Sequence, residues 1–182
     1  PRHHSSAASD VYKRQAWQFG FGPEALSAFI LIWILIALTG IDIDTQLLPD
    51  SMTLALLWIG LAVNLFDTWT SLPSAVMGAM LGYGSLWSVY WVFKLVTGKE
   101  GMGYGDFKLL GALGAWFGWQ TVPVIILLSS FAGALLGISI LLLRRLERDT
   151  PMPFGPYLAG AGLVILFFGE TLMTEYLQWV TL

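Results

Sequence analysis

Long uncharged runs alternate with short polar breaks along most of the chain, and the alternation sets the first expectation. Ala25 to Ile41 is uncharged and rich in Leu, Ile and Phe. At about 1.5 Å per residue, a helix of that length reaches across a bilayer core. The run stops at Asp42, where Asp42, Asp44 and Asp50 crowd around a break marked by Pro49. Ser51 to Phe66 then resumes the apolar pattern, with Asp50 and Ser51 placed to cap it. Further runs follow at Leu72 to about Val96, near Asp106 to Trp119, Val124 to Leu143, and Tyr157 to about Gln178. The expected fold class is all-α, a polytopic transmembrane helical bundle of about six spans. Gly78 with Gly82, Gly114 with Gly118, and Gly133 with Gly137 have the spacing that lets membrane helices approach closely. The fourth run is short: a helix of roughly 20 Å falls below the roughly 30 Å hydrocarbon core, so its start is expected below the membrane surface, within reach of water.

The first 15 residues, PRHHSSAASDVYKRQ, are polar and rich in serine and basic residues. They lack the apolar core and small-residue cleavage pattern of a signal peptide. Residues 1–20 are therefore expected to be a disordered or non-native head with an entry loop, and residues 21–182 one membrane-embedded domain. No soluble domain, long linker or repeat is visible.

Composition narrows the chemistry. Of 182 residues, 56% are hydrophobic and 12% charged, against roughly a quarter charged in soluble domains. The net charge of −3 says little about partners and gives no reason to expect nucleic acid. With no cysteine, disulfides, thiolate metal sites and cysteine nucleophiles are excluded. The only histidines, His3 and His4, lie in the polar head, so no histidine-ligated metal is expected in the membrane. Asp and Glu are left to carry any acid–base work.

Asp106 is the acid to explain. It stands inside GMGYGDFKLLGALGAWFGW, with glycines before it and apolar residues after it. A carboxylate near membrane depth is costly and tends to face the bundle interior, where it is functional; the plainer alternative is an acidic helix start. Two crossings, the second and third runs, separate the end of the first run from the start of the fourth, so Asp42 and Asp106 fall on one membrane face. Lys94, Lys99, Lys108, Arg144, Arg145 and Arg148 cluster on that side, whereas the loops around Asp67 and Gln120 have no Lys or Arg. The positive-inside rule then turns the acids toward the cytoplasm, with Trp119 and Trp179 suited to the opposite interface. Two carboxylates held close in a low-dielectric site come to share a proton. One can then activate water while the other polarises a peptide carbonyl. Glycine beside Asp106 leaves room for a substrate backbone.

IDIDTQLLPD at one span end, GMGYGDFKLL at a later span start and FGP before the last span together resemble the type IV prepilin peptidase family, a branch of the GxGD membrane aspartyl proteases. The likeness covers essentially Phe21 to the C-terminus. It implies that Asp42 and Asp106 form the catalytic pair. It also implies cleavage of the short basic leader of type IV prepilins or type II secretion pseudopilins, after a Gly ahead of an apolar helix, in the bacterial inner membrane. No cofactor is implied for proteolysis. Members that also N-methylate the new terminus use S-adenosylmethionine and usually carry a further N-terminal helix and a segment with paired cysteines. This chain therefore resembles their C-terminal protease portion, and methylation is expected only of a full-length protein.

The remaining acids have blander expectations. Asp44 and Asp50 orient the loop or cap the second helix, Glu100 is a solvated charge, and Asp67 and Glu170 are interfacial. Gly103 and Gly105 support the site. Lys108 either tunes Asp106 or snorkels to the surface, and the second is favoured. The rivals are a transporter with an Asp proton relay and an archaeal preflagellin-type peptidase. Acids at span ends and the absence of a repeat weigh against the first, and the long LLPD motif weighs against the second. A presenilin-like protease would show Tyr-Asp and Pro-Ala-Leu motifs, which are absent.

Overall fold

The computed structural model describes residues 22–99, 101–144 and 153–180. The head at residues 1–20, Glu100, Arg145 and Arg148 lie outside the described residues, as do the side chains of Glu170 and Trp179. Among the described residues six α-helices follow in order: α1 (Pro23–Thr45), α2 (Asp50–Val63), α3 (Leu72–Thr97), α4 (Tyr104–Phe117), α5 (Val122–Arg144) and α6 (Gly155–Val180). Short 3-10 turns at Asn64–Phe66 and Trp119–Thr121 end the second and fourth. Each helix falls within a few residues of an apolar run. Two stretches, Pro23–Thr45 and Trp119–Ser139, are long and apolar enough to cross a membrane, and Asp50–Phe66 and Gly155–Gly169 are shorter apolar helices. Trp, Tyr, Ser and Gly dilute the apolar character of α3.

α4 is the axis of the fold. From Asp106 to Phe117 every residue except Lys108 is buried. α3 and α2 cover it most extensively, α6 adds a further wall, and α1 packs against α6. The α3–α4 contact is close because side chains are missing on both helices. A Cβ on Gly78 or Gly114 would run into the other glycine's carbonyl, and one on Gly82 would come within 2.6 Å of the Leu110 carbonyl oxygen. Gly118 packs against α3 as well, since a Cβ there would lie 2.5 Å from the Ser74 Oγ, and it also ends α4: at φ 87° its N–H bonds the Gly114 carbonyl.

The outer faces of α1, α3, α5 and α6 are apolar and open. Phe29, Trp33, Val92, Leu95, Phe131 and Phe167 are among the exposed large side chains, an extent of apolar surface that suits contact with lipid.

The far end of α4 is fixed by Asn64, which is fully buried. Its Nδ2 donates to the carbonyls of Ala115 and Trp116, both at 2.9 Å, and its Oδ1 accepts from the N–H groups of Trp69 and Thr70 at 3.0 and 3.1 Å. The last carbonyls of a helix lack intrahelical partners, and Asn64 supplies them from the 3-10 turn that follows α2. Trp116 completes the anchor: its Nε1 donates to the Leu56 carbonyl at 2.9 Å, and its ring lies over Gly60.

Candidate active site

On α1 the core-facing stripe runs Leu31, Leu35, Leu38, Asp42, all buried. The helix does not stop where its apolar run stops. It continues to Thr45 and ends with Gln46 in the left-handed region, whose N–H bonds the Asp42 carbonyl at 2.9 Å. That extra turn places a carboxylate at the next position of an apolar stripe, so Asp42 is only 4% exposed. Asp44, two residues on and about 200° round the helix, is exposed.

Asp42 is held by a third region of the chain. Its Oδ2 accepts a hydrogen bond from the Gly155 N–H at 3.0 Å. Gly155 is the first residue of α6, where backbone N–H groups have no intrahelical partner. Of the next two residues, Pro156 has no N–H and Tyr157 donates to the Phe154 carbonyl. Asp42 thus caps α6 from another helix. A Cβ at Gly155 would lie 2.6 Å from that carboxylate oxygen, so the approach needs glycine.

Asp106 occupies the third position of α4, after the N-cap Gly103. It is 6% exposed. Its backbone N–H bonds the Gly103 carbonyl at 3.2 Å, and its carboxylate takes a hydrogen bond back from the Gly103 backbone, the reach of an acid at this position of a first turn. Leu48 lies against both Gly105 and Gly155, which puts the acids in one interior region: Asp106 in the first turn of α4, and Asp42, from the last turn of α1, against the first N–H of α6, where free N–H groups and the dipole favour negative charge.

Leu48, from the loop between α1 and α2, wedges the two halves together. A Cβ on Gly105 would lie 2.6 Å from the Leu48 Cβ, and one on Gly155 3.3 Å from the Leu48 Cδ1. The bare face of Gly105 is therefore filled by the LLPD loop, not held open for a substrate as expected. At Gly103 the nearest atom to an added Cβ is an Asp106 carboxylate oxygen, at 3.7 Å.

Asp50 departs from its expected capping role. Pro49 is the N-cap residue of α2, and its carbonyl accepts from Met52 and Thr53; the Asp50 carboxylate instead pairs with Lys108 Nζ at the protein surface. The pair ties the start of α2 to the first turn of α4. Aromatic rings brace the same turn from α3, with Phe107 fully buried among Tyr83, Tyr90 and Tyr104.

Gly155 and Asn64 were missed by sequence reasoning. FGP was visible as a motif, and a glycine before a proline at a helix start is a signal for a free N–H. Asn64 lay in what looked like a polar turn.

The model of the Type IV leader peptidase family matches residues 29–138. A prepilin leader peptidase/N-methyltransferase of Stutzerimonas stutzeri is 57% identical over 92% of this chain and 58% of its own length. Proteins with the same description from Pseudomonas aeruginosa and Aeromonas hydrophila are 57% and 59% identical, over 90% and 84% of this chain and 57% and 52% of theirs. No solved structure matches. The chain belongs to the type IV leader peptidase family. It spans between half and three fifths of the length of these relatives.

Proposed function

We propose that the chain is the proteolytic part of a prepilin leader peptidase, an aspartic endopeptidase with Asp42 and Asp106 as its catalytic residues. The observation that carries the reading is the convergence of these acids, far apart in sequence, in one buried region at the starts of α4 and α6. One carboxylate is ionised and takes a proton from water as the water oxygen attacks the scissile carbonyl carbon. The other is protonated and gives its proton to the carbonyl oxygen. Collapse of the tetrahedral intermediate breaks the C–N bond, and the departing amine leaves with a proton returned by the dyad. No covalent enzyme intermediate forms.

The substrates are the basic leaders of type IV prepilins or type II secretion pseudopilins, cut after a Gly ahead of an apolar helix. The six helices cross the bacterial inner membrane with the dyad toward the cytoplasm, as the distribution of Lys and Arg supports. The curated relatives are also named N-methyltransferases. Two carboxylates and glycine backbone form no cradle for S-adenosylmethionine, and methyl transfer is not proposed for these residues.

The test is cleavage of a model prepilin by the chain in membrane vesicles, read by mass spectrometry. A cut after the leader Gly, lost in Asp42→Asn and in Asp106→Asn with insertion preserved, is expected. Full activity in either variant removes the dyad assignment.

A further inference from the structure

A groove of about 240 Å³ lies between α1 and α6. Leu35, Ile36 and Thr39 form one wall, and Pro156, Gly160 and Leu163 line the other. One end lies about one helical turn from Asp42. Thr39 precedes Asp42 by three residues, on the same side of α1, and Pro156 follows Gly155, the residue that donates to Asp42. From there the walls lead away along both helices, and Leu35 lies about 10 Å down the axis from Asp42.

The lining has no charged side chain. The volume is below the roughly 300–1,000 Å³ of small-molecule sites, and it suits one or two side chains of a passing helix. Gly160 opens the floor: a Cβ built there meets nothing within 4 Å. A missing side chain at such a place lets a second helix approach its backbone.

We propose that this groove seats the first two turns of the apolar helix that follows the scissile bond of the substrate. The inference rests on reading the chain as a leader peptidase and adds where the substrate lies. A bond cut just ahead of an apolar helix has to reach the carboxylates while that helix stays in lipid. The helix must therefore leave the dyad along a path that is apolar, uncharged and continuous with it. The α1–α6 groove is uncharged, lined mostly by apolar side chains and begins about one helical turn from Asp42. A second groove, at Ser88, Val92 and Phe93, lies on α3, which carries neither acid.

The chain has no cysteine, so Gly160→Cys introduces a single thiol at a position with open space. In vesicles, with Asp42→Asn added to keep substrate intact, this variant is combined with model prepilins carrying one cysteine at successive positions after the leader Gly. A short bis-maleimide should link them at positions three or four apart within the first two turns. Val92→Cys on α3 should give no such pattern. Separately, Gly160→Leu fills the groove. The ratio of kcat/KM for full prepilin to that for a leader peptide lacking the apolar helix should fall about tenfold, as expected for displacing an apolar side chain. Crosslinking no stronger from Gly160→Cys than from Val92→Cys, or an unchanged substrate ratio, overturns the proposal. Crosslinking needs no turnover, so failure of the unmodified chain to cleave prepilin counts against the peptidase reading, while the crosslink pattern still decides the groove.

Discussion

The two ends of α4 are built on opposite principles. At its far end Asn64 uses every hydrogen-bonding position of its amide, two donated and two accepted, and Trp116 spends its one donor on Leu56. At its near end the acids are held by backbone: Asp106 accepts from the Gly103 backbone, and Asp42, reaching across from α1, accepts from the Gly155 N–H. α4 is thus fixed by side-chain amide and indole groups at one end and carries its acid against helix-start backbone at the other.

The largest effect should come from the seam that both ends depend on. Gly114→Leu drives a side chain into the Gly78 backbone. Loss of the folded protein from detergent extracts is expected, and recovery at ordinary yield would contradict the close α3–α4 contact. Asn64→Ala strips four partners at once and should lower stability by about 3 kcal/mol, seen as a fall in the thermal midpoint in detergent. A midpoint within error of the parent would show that the far end is not the anchor. Gly155→Ala acts at the near end. Its Cβ would press on the Asp42 carboxylate, so cleavage should drop about tenfold or more, as a displaced catalytic group does, with the midpoint little changed. Equal losses of stability and activity would erase the distinction between the ends. The smallest effect belongs to Lys108→Met, which breaks a surface pair with Asp50 and should cost no more than about 1 kcal/mol.

The helices were legible because each is an apolar run between polar breaks, and the glycine pair of α3 predicted its close contact. The end of α1 was less so. Charge at Asp42 looks like the end of a span, but the Leu31, Leu35, Leu38 spacing carries the helix one turn further and turns the acid inward. Asp42 and Asp106 could be placed on one side by counting crossings, and a family resemblance named them as a pair. What holds them was hidden. The Gly155 N–H lies 113 positions from Asp42, and the carbonyls held by Asn64 lie 51 and 52 positions away. Backbone groups look alike in every residue, so sequence does not say which one a side chain will meet. The LLPD loop was similarly read for its acids, whereas Leu48 is what fills the space beside Gly105 and Gly155.

The central claim is that Asp42 and Asp106 act as one unit, and a double-substitution cycle on prepilin cleavage tests it most directly. Residues of a single catalytic unit are strongly non-additive. Asp42→Asn, Asp106→Asn and the double variant should therefore lose activity to the same residual level, each with insertion and thermal midpoint preserved. A double variant that multiplies the two single losses, or a single variant that keeps cleaving at the parent rate, would show that the carboxylates do not share one reaction.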